Sequence, residues 1–326
     1  MRLIRGLHNL QQMAGRSDSP LANGCVATIG NFDGIHRGHQ VIVDQVRDRA
    51  HQLGVPSVVM VFEPQPREFF AGADAPARLM RFREKVEVLL AHDVDIVVCL
   101  QFNSRLRNLS AMEFIEQVLI DGLNVHHLVV GDDFRFGCDR AGDFRLLESV
   151  GQERGFRLEH TQTIMVRGER ISSTRVRQAL CENRLADAHE LLGRPYAIGG
   201  RVVYGKRLGR ELGVPTANIL LGGKKPPLRG VYVVAVEMPN GRIERGLANI
   251  GIRPTVRGKH PSLEVHLLDF SADIYGSRLV VTFLYNLRDE VEFDGIAELE
   301  KQIHRDLAHG RDWLAEHRPV PTNVER

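Results

Sequence analysis

Two histidines, His36 and His39, stand three residues apart in the stretch TIGNFDGIHRGHQ at 28–40. An imidazole can donate a hydrogen bond to phosphate and can change its charge near neutral pH. Zinc binding would need a third ligand at suitable spacing, and the chain has neither an HExxH motif nor paired CxxC motifs. For the pair alone, polar surface or a core contact is the alternative to phosphate chemistry.

The elements around these histidines would place them at the start of a helix. The apolar run at 25–29 predicts a strand, the glycines predict a loop, and Ile42, Val46 and Ala50 recur on one face of a helix. Free backbone amides and the helix dipole favour anions at such a start. Neither GxxxxGK[ST] nor GxGxxG can be read through the loop. GNFDGIHRGH after a strand instead resembles the HxGH signature of nucleotidyltransferases, whose histidines stabilise the phosphates of ATP.

Two further stretches combine polar or aromatic residues with a loop or a helix start. In RISSTRVR at 170–177, Ser172 or Ser173 could be a plain N-cap. The string also resembles the ISSTxxR motif of the same nucleotidyltransferases, whose hydroxyls, helix amides and arginine hold the triphosphate. In GDDFRFG at 131–137, Phe134 and Phe136 could clamp a planar ring or pin the loop to the core.

Oxygen ligands and a carboxylate mark the second half of the chain. Thr216 and Asn218 lie two apart on an extended segment, which suits Mg-ATP, although turn or edge-strand polarity is the alternative. Just before them, Lys206 and Arg207 could neutralise phosphate or belong to a basic surface loop. In LEVHL at 263–267, apolar and polar residues alternate, so Glu264 and His266 lie on one face of a strand. That face could also be a solvated outer face. Asp269 is the competing carboxylate for accepting a proton.

Two domains are predicted to position these residues. Strand patterns at 57–62, 94–100, 125–130 and 163–166 alternate with helices, which predicts an α/β fold with a Rossmann-like, doubly wound parallel sheet. Ligands then bind at the carboxyl ends of its strands. Beyond the first domain, runs at 196–204, 230–237, 246–250, 263–270 and 278–285 predict a small antiparallel β-barrel with a C-terminal helix. The predicted domains are 1–184 and 185–326.

Composition narrows the class of protein. A chain of 326 residues with 43% hydrophobic residues can build two modest cores, and a net charge of +2 argues against a dedicated nucleic-acid binder. No signal-peptide pattern and no apolar run long enough to span a membrane can be read, so a cytoplasmic protein is expected. The four cysteines make no metal or disulfide spacing.

Seven strings in order carry one resemblance across nearly the whole chain: TIGNFDGIHRGHQ, FEPQPREFF, VVGDDFRFG, RISSTRVRQAL, LGVPTANI, GLANIGIRPTV and LEVHLLDF. They resemble the prokaryotic bifunctional riboflavin kinase/FAD synthetase (FMN adenylyltransferase) family. The resemblance implies that the C-terminal domain phosphorylates riboflavin to FMN. The N-terminal domain would adenylylate FMN to FAD and release pyrophosphate. Both reactions use ATP, with Mg²⁺ as the implied cofactor. The implied partners are these small molecules, without nucleic acid or membrane, and no oligomeric state is predicted.

The resemblance also assigns site residues. Catalytic roles fall on His36, His39 and Arg177 for adenylyl transfer and on Glu264 for the kinase. ATP binding falls on Gly30, Asn31, Ser173, Thr174, Lys206, Arg207, Thr216 and Asn218, of which Thr216 and Asn218 also hold the metal. Flavin binding falls on Phe62, Pro64, Pro66, Phe70, Phe134 and Phe136. Val214 departs from the phenylalanine that the family often has before PTAN.

Two other functional classes remain open at this point. An enzyme that only adenylylates a small phosphate ester would share the first motifs but would have no use for the PTAN and LEVHLLDF strings. A flavin-sensing binding protein would keep the aromatic pocket and lose His39 or Glu264, and both residues are present.

Overall fold

The computed structural model describes residues 2–131, 133–161, 163–205, 209, 213–222, 225–255 and 258–317, without the side chains of 252–260. Contacts divide the chain into two units. The first unit comprises Met1–Pro76 and Met80–Ile171, and the second comprises Ala77–Leu79 and Ser172–Arg326. The domain boundary near residue 185 stays a prediction.

In the described part of the first unit, six strands form one sheet in which every neighbouring pair is parallel. They are β1 (Leu3–Arg5), β2 (Cys25–Ile29), β3 (Ser57–Glu63), β4 (Ile96–Gln101), β5 (Val125–Val130) and β6 (Arg157–His160). The helices are α1 (Leu7–Ala14), α2 (Arg37–Leu53), α3 (Pro66–Ala71), α4 (Phe82–Ala91), α5 (Ser104–Arg107), α6 (Ala111–Phe114) and α7 (Phe144–Arg154). Short helical turns lie at Gly72–Asp74, Ile115–Ile120 and Cys138–Arg140, and β7 (Met165–Val166) pairs with β8 (Glu169–Arg170).

Both faces of the sheet are covered, because alternate residues of a strand point to opposite sides. Cys25, Ala27 and Ile29 of β2 join a core with residues of α1, α6 and α7. Val26 packs instead against Val46 of α2. A strand buried on both faces has a nearly continuous apolar sequence, which explains why the run at 25–29, with Thr28 as its one polar residue, was predicted as a strand.

The sheet order β1-β4-β3-β2-β5-β6 reverses direction at β2. From β2 the chain proceeds to β3 and β4 on one side and later to β5 and β6 on the other. In open parallel sheets, ligands bind at the carboxyl ends of the strands at this reversal. The loop after β2 leads to the two histidines at the start of α2, and the loop after β5 contains the FRF sequence, so both lie at the expected binding crevice.

The second unit contains a closed barrel in which neighbouring strands are antiparallel. The strands, in their order around the barrel, are β10 (Ala217–Ile219), β13 (Gly258–Leu267), β12 (Ile243–Thr255), β11 (Gly230–Glu237), β14 (Arg278–Arg288) and β9 (Ala197–Val203). Helices α8 (Ser173–Cys181) and α9 (Leu185–Leu192) precede it, and α10 (Ile296–Glu316) follows it. Leu314 of α10 packs against Val233 and Leu247 of the barrel. The predicted fold class is confirmed.

One predicted strand was misplaced. The sequence pattern put a strand of the sheet near 163–166, whereas the sheet ends with β6 at Arg157–His160. Met165–Val166 forms only a short hairpin with β8. β6 escaped prediction because its sequence, RLEH, has a single apolar residue, and an edge strand needs only one hydrogen-bonded neighbour.

Candidate active sites

The loop after β2 is held in an unusual backbone conformation by buried side chains. Phe32 and Ile35 have φ angles of 45° and 42°, a region that side chains other than glycine rarely adopt. Their side chains are only 2% and 0% exposed, so core packing offsets a cost on the order of 1–3 kcal/mol for each residue. The loop therefore has a fixed shape before any ligand binds.

The two histidines stack directly on each other at the start of α2. Their ring centroids are 3.6 Å apart and the planes meet at 14°. His36 is the N-cap residue, and its Nδ1 accepts a hydrogen bond from the backbone N–H of His39 at 3.2 Å. This bond leaves the His36 proton on Nε2. Gly38 leaves room for the pair, because a β-carbon there would lie 3.3 Å from the His36 ring and 3.8 Å from Cβ of Ile171.

The second sequence stretch, ISSTRVR, begins beside this loop and continues into α8. Ser172 is the N-cap of α8 and accepts a hydrogen bond from the backbone N–H of Arg175 at 3.3 Å. Ser173 and Thr174 are therefore the first residues of the helix, which settles which serine is the cap. Arg177 Nε donates to the backbone carbonyl of Ala77 at 2.6 Å. These residues belong to the second unit, whereas Ile171 belongs to the first.

The two phenylalanines after β5 lie in different surroundings. Phe136 is 6% exposed, packs 5.5 Å from Phe114, and covers Gly142 so closely that a β-carbon there would lie 2.5 Å from the ring. It is part of the core. Phe134 is half-buried and stacks on Phe136 with centroids 5.5 Å apart. Of the two rings, only that of Phe134 is more than marginally accessible.

The stretch FEPQPREFF closes β3 and opens α3. Glu63–Pro64 is a cis peptide bond, and Pro66 is the first residue of α3. Phe62 and Phe70 contact a common ring, Phe102, at centroid distances of 5.9 and 5.8 Å. Phe70 is 61% exposed, so its ring is available to a ligand. Sequence reasoning missed Phe102, whose place directly after β4 matches that of Phe62 near the end of β3.

Polar residues form a row across three strands of the barrel. Asn218 of β10 lies opposite Glu264 of β13, and Glu264 lies opposite Asn249 of β12. Directly opposite residues share one face of a sheet. Gly205 lies so close that a β-carbon there would be 2.3 Å from Asn218 Nδ2. Asn249 was not singled out from the sequence, although the GLANIG string contains it.

Two cavities lie near this row, and Asn249 and Glu264 line the smaller one. The larger cavity has a volume of about 530 Å³ and is lined by residues that include Tyr204, Pro215, Thr216, Phe270 and Tyr275. The smaller cavity has a volume of about 210 Å³. Its polar end contains Thr216, Asn249, Glu264 and His266, and its apolar wall includes Leu299, Ile303 and Leu307 of α10. Thr216 lines both cavities.

The two carboxylates considered as proton acceptors differ in their environment. Glu264 and His266 both face the smaller cavity, as the alternation predicted. His266 Nδ1 donates to the carbonyl of Pro215 at 2.9 Å and so fixes the segment that carries Thr216. Asp269 is instead paired with the Arg311 guanidinium at 2.8 Å, and hydrogen bonding to that cation lowers the pKa of Asp269.

A partly buried ion pair joins α10 to β14 beside the smaller cavity. Arg288 of β14 bonds both carboxylate oxygens of Asp306, with its Nη2 at 2.8 Å and its Nε at 3.0 Å. Gln302 donates to the same carboxylate at 2.8 Å. Asp306 is 8% exposed, and a bidentate pair of this kind specifies orientation as well as contact. Lys206 and Arg207, which were predicted to meet phosphate, lie outside the described residues.

Among the residues that the structure describes, no helix combines the length and the apolar character needed to cross a bilayer.

Comparison with known proteins assigns both halves of the chain. A FAD synthetase family model matches residues 18–175, and a riboflavin kinase family model matches residues 192–314. The bifunctional riboflavin kinase/FMN adenylyltransferase of Pseudomonas fluorescens is 52% identical over 97% of this chain and 98% of its own length. The protein of the same name from Escherichia coli K12 is 47% identical over 98% of this chain and 100% of its own.

A solved structure extends the similarity to the fold. The crystal structure of a Streptococcus pneumoniae protein, described as a macrolide-efflux protein, has a TM-score of 0.79 and 30% identity to this chain. The match covers 96% of this chain and 100% of that one. The sequence identity to these relatives and the order of the two family models agree. The chain belongs to the bifunctional riboflavin kinase/FMN adenylyltransferase family.

Proposed function

We propose that this chain makes FAD in two steps, with 185–326 phosphorylating riboflavin to FMN and 1–184 adenylylating FMN. The single observation that carries the proposal is that each of the two proposed domains has its own set of residues suited to phosphate chemistry. The first unit has the stacked histidines at the point where the strand order reverses. The second unit has Thr216, which lines both cavities, and Glu264, which lines the smaller one. The reactions are placed in the cytoplasm, where ATP is available.

In the kinase step, the smaller cavity holds riboflavin and the larger cavity holds ATP. An apolar wall from α10 suits the flat isoalloxazine ring, and the polar end suits the ribityl chain. The terminal ribityl oxygen forms a bond to the γ-phosphorus while the bond to the ADP oxygen breaks. Glu264 accepts the hydroxyl proton. The Arg311 ion pair makes Asp269 the poorer candidate.

Thr216 and Asn218 fit a magnesium site, because a hydroxyl and an amide oxygen are hard oxygen donors. The close approach of Gly205 holds the Asn218 carboxamide in place. Bound Mg²⁺ would neutralise charge on the phosphates of ATP. Lys206 and Arg207 are proposed to contribute further positive charge to the same phosphates.

In the adenylyl step, a phosphate oxygen of FMN bonds to the α-phosphorus of ATP, and pyrophosphate leaves. Two anions must approach each other, which calls for donors aimed at the charge that develops. His36 and His39 are proposed for this role, together with Arg177. The remaining ATP contacts are proposed for Gly30, Asn31, Ser173 and Thr174. The flavin ring is proposed to lie against Phe62, Pro64, Pro66, Phe70 and Phe134, with Phe136 supporting Phe134 from beneath.

The deciding experiment incubates the chain with riboflavin, ATP and magnesium and separates the flavins by chromatography. The expected result is FMN followed by FAD. A second reaction starts from FMN, so that adenylylation is measured alone. Accumulation of FMN without FAD would reject the role proposed for the first unit. FAD from FMN but no product from riboflavin would reject the kinase role.

A further inference from the structure

Lys85 of α4 is a fully buried lysine to which the roles above give no part. Its side chain is 0% exposed. Burying an ammonium group is costly unless the group is hydrogen-bonded. Among its contacts, Nζ donates a hydrogen bond to the backbone carbonyl of Asn31 at 2.5 Å. A hydrogen-bonded lysine amine is therefore held in the core, directly behind the loop that leads to the two histidines.

A second contact ties the same loop to the segment that opens α4. The backbone N–H of Met80 donates to Asp33 Oδ1 at 3.3 Å, and Asp33 is 2% exposed. Asn31 and Asp33, on either side of Phe32 in the sequence, are thus both hydrogen-bonded to residues in or just before α4. Phe32 itself has φ 45°, so it needs such support to keep its conformation.

The contact at Asn31 also orients the next peptide group and, through Phe32, one of the histidines. In a planar trans peptide, the carbonyl of Asn31 and the N–H of Phe32 point in opposite directions. Holding the carbonyl toward the buried lysine turns that N–H away from it. The Phe32 ring then lies 4.9 Å from the His39 ring, centroid to centroid. A chain of direct contacts therefore runs from Lys85 through Asn31 and Phe32 to His39.

We propose that Lys85 is a positioning residue for adenylyl transfer, holding the Asn31–Phe32 peptide and, through Phe32, His39 in the geometry that meets ATP. The inference rests on the function proposed for the first unit. Lys85 contacts neither FMN nor ATP in the proposed adenylyl step and acts only through the loop that follows β2.

The test replaces Lys85 by methionine, which has similar length but neither charge nor donor. FAD formation from FMN should lose about 10- to 100-fold in kcat/KM for ATP, the effect of losing a charged hydrogen bond, while KM for FMN stays nearly unchanged. FMN formation from riboflavin by the same chain should stay at the parent rate. Arg83→Met is the matched control, because it removes one positive charge from the exposed side of the same helix.

Lys85→Arg, which keeps the cation, separates positioning from packing. It should recover a measurable part of the activity that Lys85→Met loses, and circular dichroism should show both variants folded. Parent-like kcat/KM in Lys85→Met would overturn the inference. So would equal losses in Lys85→Met and Lys85→Arg, or an equal rise in KM for FMN and ATP. If the parent chain itself makes FMN but no FAD, the proposed function fails instead.

Discussion

At the scale of single residues, Glu264 and Asp269 differ in how well each could act as the general base of the kinase. Glu264 faces the smaller cavity in a row with Asn218 and Asn249, whereas Asp269 is held by Arg311. A carboxylate engaged by a guanidinium has a lowered pKa and accepts a proton less readily. The sequence alone left both carboxylates as candidates, because only the chain's return through α10 brings Arg311 to Asp269.

Glu264→Gln keeps the shape of the side chain and removes its basicity. Riboflavin phosphorylation should fall by about 10²- to 10⁴-fold, the usual contribution of a general base. FAD synthesis from supplied FMN should continue, which shows that the chain is folded. The matched control is Asp269→Asn, which breaks an exposed ion pair and should leave the kinase rate nearly unchanged. A kinase that survives Glu264→Gln and fails in Asp269→Asn would reverse the assignment.

His39 is the second residue whose role can be tested by a single substitution, and its ring contacts the rings of both His36 and Phe32. His39→Ala should lower FAD formation from FMN by about 10²- to 10³-fold, as expected for a lost donor to transition-state charge. FMN formation from riboflavin should be spared. His126→Ala is the control, since that exposed ring packs on Gly24 near the amino end of β5. Retention of both activities in His39→Ala would contradict the role of the loop.

At the scale of elements, the sequence predicted best where burial is complete. β2 and α2 were predicted correctly because a buried apolar run and a one-sided apolar pattern are each typical of one kind of element. The end of α2 was also predicted, since Gly54 caps it with φ 65°. Prediction was poorest for β6, where contacts of the folded sheet outweigh intrinsic preference. Tertiary contacts also decide the place of Phe136, because the sequence spacing could not show whether Phe134 or Phe136 would be buried in the core.

A titratable pair joins β5 to the edge strand β6 and should couple stability to pH. His127 of β5 is buried, and its Nε2 lies 2.9 Å from Glu159 Oε2, which also accepts a hydrogen bond from Arg49. Burial lowers the pKa of His127 from its ordinary 6.5, although Glu159 opposes the shift. The unfolded chain then binds a proton that the folded chain does not, so stability falls as the pH drops below about 6.5.

His127→Gln removes the titrating group while keeping a side chain that can donate to Glu159. Thermal unfolding measured between about pH 7 and pH 5 should show a flatter loss of stability in the variant than in the parent. At neutral pH the variant should be no more stable than the parent, because glutamine replaces a buried ring. Parallel pH profiles for the two proteins would show that His127 does not carry the effect.

At the scale of the whole molecule, two reactions that share an intermediate occupy one chain. Ordered motifs in the sequence predicted both activities, and the family matches at 18–175 and 192–314 agree with that order. The cavities could not be predicted, because they form only where strands distant in sequence meet. Thr216, for example, lines both cavities, and Glu264 lines the smaller one. The two residues are 48 positions apart in the sequence.

If each unit works through its own site, the two activities should be separable between molecules. Glu264→Gln should retain only adenylylation, and His39→Ala should retain only the kinase. Neither variant alone should convert riboflavin to FAD, but an equimolar mixture should do so after a lag in which free FMN accumulates. Time courses of FMN and FAD by chromatography measure this directly, and the lag should vanish when FMN is supplied. A mixture that makes FMN and never FAD, although the Glu264→Gln variant adenylylates supplied FMN, would mean that FMN does not pass through solution.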